Sequence, residues 1–253
     1  MFKNLTWLVF LTLLAVILWA ETEPATGAAE AVAESDEEYV EHLYEPANKD
    51  STALMFKAAD QALFVMPTAY TMPKGQWAFT DFELLILQLT YAPTDRLHLS
   101  AGTVFPIDLE LLRSFTVGAK FNYLRHESVQ CAFYGSFTPD PDVRIANIGH
   151  VLSFGDPRSS IHLGVSKPFG TFEDLIEGGF VASLGGIVDL SKRVAALGEL
   201  YLYTSAREPA QVFALGLRFK GKDISWDLGG IRPFGVIWDG FIAIPFIKAT
   251  IVF

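Results

Sequence analysis

The chain is almost without cysteine. Cys131 stands alone among 253 residues, so neither an internal disulfide framework nor a cysteine-based metal site can be built. Cations are scarce as well: 19 Lys and Arg against 29 Asp and Glu give a formal charge of −10. That balance excludes a general nucleic-acid partner, because phosphate needs cations facing it. There is no HExxH, no glycine-rich phosphate loop and no metal-spaced histidine cluster, and neither a metal nor a cofactor is expected. After residue 20 no apolar run approaches the roughly 20 residues of a spanning helix, since Leu84–Leu89 is far too short. Yet 51% of the residues are hydrophobic, 13% are aromatic, and mean hydropathy is positive. Such a composition excludes a disordered or fibrous chain. Positive hydropathy without long apolar runs indicates apolar surface facing something other than water.

Residues 1–20 read as a secretory signal, with Lys3 as a short basic region before the apolar run Leu5–Ala20. Ala20 fits the small residue before a cleavage site, while Leu18 is larger than the small-x-small pattern prefers. An uncleaved anchor is the alternative, but the run is short for a span. Residues 21–50 hold Glu21, Glu23, Glu30, Glu34, Asp36, Glu37, Glu38, Glu41, Glu45 and Asp50 against Lys49 alone. Self-repulsion and few large apolar groups predict an acidic, disordered, flexible segment. It is read either as a linker or as an arm for a cation-bearing partner.

From residue 51 onward the dominant period is two. Phe115, Val117, Ala119, Phe121 and Tyr123 alternate with Thr116, Gly118, Lys120 and Asn122. Phe213, Leu215, Leu217 and Phe219 alternate with Ala214, Gly216 and Arg218. One face is bulky and greasy; the other is small, polar or charged. Gly, Pro, Asp and Asn break the pattern at intervals. Twelve strands are expected, over 61–71, 76–92, 96–105, 115–124, 128–138, 144–154, 159–167, 178–188, 194–204, 210–220, 223–232 and 241–253. Strand 76–92 shows no clean alternation, so its register stays open.

A soluble barrel puts its bulky residues inside; a membrane barrel puts them outside, around a polar lumen. Two features favour the second. Tight polar turns such as Arg125-His126-Glu127 and Gly221-Lys222 alternate with longer connections at 106–114, 168–177 and 233–240, as short periplasmic turns alternate with long outer loops. Aromatics also mark the strand ends, as two girdles would: Tyr91, Tyr123, Phe154 and Phe219 at the periplasmic end, and Tyr70, Phe105, Phe137, Phe169, Tyr203 and Phe234 at the outer rim. The expected class is all-β, an antiparallel transmembrane up-and-down β-barrel over 51–253, with both chain ends of the barrel on the periplasmic side.

The last strand strengthens this reading. In Pro245–Phe253, Ile247, Ile251 and Phe253 share one face, with Lys248 and Thr250 on the other. A final phenylalanine preceded by alternating apolar residues resembles the C-terminal signal of bacterial outer-membrane β-barrel proteins, although Ala249 stands where a larger residue is common. Met66-Pro67-Thr68-Ala69 and Pro73-Lys74-Gly75 are similar to segments of uncharacterised porin-like barrels of that kind. The resemblance implies the outer membrane as location, its lipid bilayer as surroundings, and recognition of the last strand by the barrel-assembly machinery. Oligomeric state is left open.

With bulky faces turned to lipid, the lumen receives His98, Lys120, Asn122, Gln130, His162, Glu199, Arg218, Asp227 and Lys248. Their mixed charge fits either a weakly selective pore lining or a salt-bridged plug, since a small lumen can be filled by side chains. Catalysis would need a nucleophile near a base. His98 and Ser100 share a face, as do His162 and Ser166, but neither pair has an orienting acid nearby in sequence. Acidic Asp140-Pro141-Asp142 and Glu173-Asp174 read as solvated loops rather than calcium sites. The expected function is a small passive, porin-like channel or a structural membrane protein, not an enzyme. Two other readings stay open: a secreted soluble barrel with an apolar ligand inside, and a barrel-embedded lipid hydrolase.

Overall fold

A strand with one greasy and one polar face has to hide one of them from its surroundings. This chain does so by rolling its sheet into a cylinder. The computed structural model describes residues 59–83, 86–104, 115–139, 144–170, 179–204, 210–221, 223–234 and 243–253, all within the unit Glu45–Phe253. The expected signal at 1–20, the acidic segment at 21–50, Phe105 and the acidic stretches at 140–142 and 173–174 lie outside the described residues.

Twelve strands follow one another: β1 Trp77–Phe82, β2 Ile86–Thr94, β3 Leu97–Val104, β4 Phe115–Arg125, β5 Val129–Pro139, β6 Arg144–Asp156, β7 Ser159–Gly170, β8 Phe180–Asp189, β9 Val194–Thr204, β10 Ala210–Lys220, β11 Ile224–Phe234 and β12 Ile244–Val252. Each pairs antiparallel with its sequence neighbour, and β1 closes on β12 from Ala78↔Val252 to Phe82↔Lys248. Beyond that ladder, Trp77 and Phe253 exchange both backbone hydrogen bonds at 3.0 Å. Closure removes the edge strands whose unpaired amides hydrocarbon does not tolerate.

The apolar face is outside. Phe133 is 54% exposed, Leu215 57% and Trp226 43%, on the wall positions opposite in parity to buried Ala132, Ala214 and Asp227. Phe121 meets Phe133 across β4 and β5, and both remain exposed. A bulge in β4 between Asn122 and Leu124 adds a residue, so Leu124 turns outward although Lys120 and Asn122 face in. Such an exterior is stable only against apolar surroundings. The soluble-barrel reading required the reverse arrangement and fails on these residues.

The expected first two strands are corrected. Residues 61–71 form no strand. Met66, Phe64, Leu63, Thr68 and Ala69 are all nearly fully buried, surrounded by the wall rather than part of it. Pro67, which cannot donate to a ladder, argues the same way. The expected strand 76–92 is instead the hairpin β1–β2, turned at Glu83 with a φ of 59°. A single strand of that length would exceed the roughly 9–11 residues that cross a bilayer, and its broken alternation marks the turn. The two corrections cancel in the count.

The filled lumen as candidate functional site

The cylinder is filled by its own chain. Residues 59–72, called the plug below, run inside it before Pro73–Gly75 turn into β1. Leu63, Phe64, Met66 and Ala69 pack with Ala132, Val151, Ile187, Ala195, Leu197, Ala214 and Phe246 of the wall. Phe64 meets the Phe246 ring edge-on at 5.4 Å. Inward-facing glycines make the room. A Cβ on Gly185 would lie 2.5 Å from Leu63 Cδ1 and 2.9 Å from Met66 Sδ, and one on Gly216 or Gly229 would lie 2.8 Å from Phe64 Cζ.

The polar lumen positions hold the plug by its backbone. Arg218, Asp227 and Lys248 are opposed in register across β10, β11 and β12, so their side chains meet. Asp227 accepts from Arg218 Nε at 2.7 Å, from Arg218 Nη2 at 2.9 Å, and pairs with Lys248 Nζ at 2.7 Å. Arg218 then donates to the carbonyls of Ala59 at 2.9 Å, Ala62 at 2.8 Å and Leu63 at 3.3 Å. Lys248 donates to Leu63 O and, at 3.3 Å, to Phe64 O. Glu199 takes the opposite polarity: its Oε1 accepts from the amides of Val65 and Met66, both at 3.0 Å, and its Oε2 from Tyr201 Oη at 2.9 Å.

Across the lumen, Lys120 Nζ donates to the carbonyls of Gln61 at 3.0 Å, Thr68 at 3.1 Å and Tyr70 at 2.6 Å. Asn122 Nδ2 donates to Ala69 O and to Gln130 Oε1, each at 2.8 Å. Met72 N donates to His98 Nε2 at 2.5 Å. Ser153 Oγ accepts from Ala69 N at 2.8 Å, and His162 bonds Ser153 at 2.7 Å and Ser160 at 3.0 Å beneath the Tyr70 ring. A buried cation or anion is tolerable only with partners of this kind. Buried Lys120, Arg218 and Lys248 are matched in number by buried Asp60, Asp227 and Glu199.

All nine lumen residues named from sequence are buried, and six of them hydrogen-bond the plug; Asp227 holds Arg218 and Lys248, Gln130 bonds Asn122 and His162 bonds Ser153. The proposed serine–histidine pairs do not assemble as such: among the described residues His98 is occupied by Met72, and His162 bonds Ser153 and Ser160 rather than Ser166. Two of the girdle residues are misplaced in the sequence reading. Tyr70 belongs to the plug, is 5% exposed and donates to Gly155 O at 3.1 Å. Tyr203 shares the inward parity of Glu199 and Tyr201, its ring 6.3 Å from that of Tyr201. The outward neighbour is Leu202. Phe137, Phe169 and Phe234 are exposed at one end of the wall and Tyr123 and Phe154 at the other. Tyr91 and Phe219 are half-buried there, Tyr91 stacked on Trp77 at 4.4 Å. On β12, Ile251 is exposed and Ile247 half-buried, and Phe253 just beyond it is exposed.

Sequence reasoning missed the plug and further residues around it: Ser153, Ser160, Tyr134, Tyr201 and Arg125, whose Nη2 reaches Thr71 Oγ1 at 2.6 Å. A signal was present. Residues 63–66 are bulky at every position, which suits a segment enclosed on all sides, and the inner face of the strands carries glycine where no side chain was needed to fill space.

Wall, belt and lumen together define a class: a closed transmembrane β-barrel with an apolar exterior, plugged from within. No family model matches the chain, and no curated protein matches it. Among solved structures it is similar to the KdgM porin, at 10% identity over 70% of this chain and 95% of that one, with a TM-score of 0.49. It is also similar to LpxR from Salmonella typhimurium, at 10% identity over 71% and 99%, TM-score 0.40. OccK11 of Pseudomonas aeruginosa follows at 11% identity over 69% and 62%, TM-score 0.38. These are likenesses of barrel architecture and assign no solute or activity.

Proposed function

We propose that the protein is an outer-membrane channel held closed by its own residues 59–72, which passes small polar solutes when that segment is displaced. One observation carries the reading. The plug is attached to the wall by side chain–to–backbone hydrogen bonds and by packing, not by strand pairing; its one bridge, Ala62↔Pro67, is internal. The barrel therefore stays closed as a sheet whether or not the plug is seated. A purely structural barrel has no need of inward glycines and a separate filling segment, because wall side chains can fill a small lumen themselves.

The reading is of a non-catalytic barrel. Both candidate histidines are spent on the plug and its supports, and a base must reach a nucleophile that substrate can also reach. The apolar stripe Ile247, Ile251 and Phe253 is the surface offered to the barrel-assembly machinery, and residues 21–50 are assigned to the periplasm as an acidic segment after a cleaved signal at 1–20.

A staple tests the gate. Ala69 N lies 2.8 Å from Ser153 Oγ, so Ala69→Cys with Ser153→Cys, in a Cys131→Ser background, ties plug to wall. In planar bilayers the oxidised form is expected to be silent and the reduced form to show openings. Equal conductance in both forms places the conducting path elsewhere, and silence in both favours a structural barrel.

A further inference from the structure

On the side of the plug away from the short turns, the described residues leave two adjoining cavities of about 410 and 290 Å³. They share Val65 and Pro67 of the plug with Tyr134 and Asn147 of the wall. The larger lies within the roughly 300–1,000 Å³ of small-molecule sites. Among the described residues its lining includes Tyr134, Tyr201 and Tyr203 with Ser166, Ser183 and Thr204, and no Asp, Glu, Lys, Arg or His.

Two buried acceptors at these cavities have no hydrogen-bond partner: Asn147 Oδ1, which borders both, and Gln61 Oε1, which borders the smaller. Asn122 Oδ1 is a further buried acceptor without a partner, but it lines neither cavity. An unsatisfied buried acceptor is rare in a native interior and calls for a donor from outside the chain. The position of the two is informative, because each belongs to the space rather than to the clamp.

We infer that this space above the plug is a binding site for an uncharged sugar ring. Tyrosine rings offer flat apolar surface to the C–H faces of a pyranose, and the orphaned amide oxygens accept from its equatorial hydroxyls. Among the described residues lining the two cavities a cationic solute finds no carboxylate, since Glu199 is turned onto plug amides. An anionic one finds no free ammonium among those described residues, since Lys120 gives its three protons to plug carbonyls. A purely apolar ligand would leave both acceptors orphaned. The inference deepens the channel reading by naming its solute class, and rests on it only for the passage step, not for binding.

The test is calorimetric titration of the stapled, plug-locked protein, in an amine-oxide detergent that carries no sugar headgroup. The probes are maltose, glucuronate and glucosamine. Maltose is expected to bind, and the two charged sugars to bind about tenfold more weakly. Asn147→Leu is expected to weaken maltose about tenfold and Tyr203→Leu about three- to tenfold, while Tyr203→Phe retains it. Tyr203 is 40% exposed, so its replacement leaves the fold intact, as heat-modifiable gel migration verifies. No heat with maltose, equal binding of all three sugars, or indifference to both Asn147→Leu and Tyr203→Leu overturns the inference. Because the locked protein conducts nothing, a binding failure beside reducible conductance refutes the sugar and spares the gate; binding beside permanent silence does the opposite.

Discussion

Arg218→Met is the sharpest test of the clamp. Arg218 is 2% exposed and serves two masters: Asp227 on the wall, and the carbonyls of Ala59, Ala62 and Leu63 on the plug. Methionine keeps the length and apolar stem. Loss of the guanidinium from Asp227 acts equally with the plug seated or gone, and Lys248 still pairs with that carboxylate at 2.7 Å, so the wall contribution drops out of the gating equilibrium. What remains is the plug. Leu63 O keeps its bond from Lys248 and Ala59 O keeps the amide of Ala62 at 3.3 Å, while the carbonyl of Ala62 loses the arginine donor. Leaving that carbonyl unpaired costs about 1–3 kcal/mol, so seating weakens by at least about 1 kcal/mol. At 1.4 kcal/mol per tenfold, the open fraction rises by at least about fivefold. Single-channel recording in planar bilayers reads this directly as open probability. Arg218→Lys keeps a charge but fewer donors and should fall between. A variant that still migrates as a folded barrel yet opens no more often than the parent would refute the reasoning, because then the arginine bonds do not hold the plug.

The neighbouring pair Leu184 and Gly185 separates the two faces of one strand. Leu184 is 45% exposed on the outer wall, and Leu184→Arg should lower barrel stability in lipid by about 2–4 kcal/mol if it sits near the midplane, read as a fall in the denaturant midpoint of refolding into vesicles without change in open probability. Gly185→Leu instead intrudes on Leu63 and Met66; overpacking of about 1–3 kcal/mol should raise open probability while leaving refolding yield near that of the parent. If the two variants give the same phenotype, the assignment of inside and outside on β8 is wrong.

The barrel was legible because its signal is local. Alternation along Phe115–Tyr123 or Phe213–Phe219 states which side chains travel together, and the distribution of bulk and charge states which side meets lipid. For the same reason the buried positions of Lys120, Glu199, Arg218, Asp227 and Lys248 could be read from parity alone. Their partners could not. Lys120 reaches Tyr70 across 50 residues of chain and Arg218 reaches Ala59 across 159, and no periodicity encodes such a meeting. The stretch 61–71 was mistaken for wall because enclosure on all sides and burial on one both demand apolar residues. Tyr203 misled for a related reason: Tyr201, Leu202 and Tyr203 place bulk on both faces, so an aromatic near a strand end does not by itself say whether it meets lipid or lumen.

The plug passes straight into β1 through Pro73–Gly75, and β1 is the strand that meets β12 to complete the ring. Whatever delivers β1 to that last junction therefore brings residues 59–72 to the mouth of the cylinder at the same moment. The stopper of this vessel and the seam that completes its ring thus lie on one short stretch of chain.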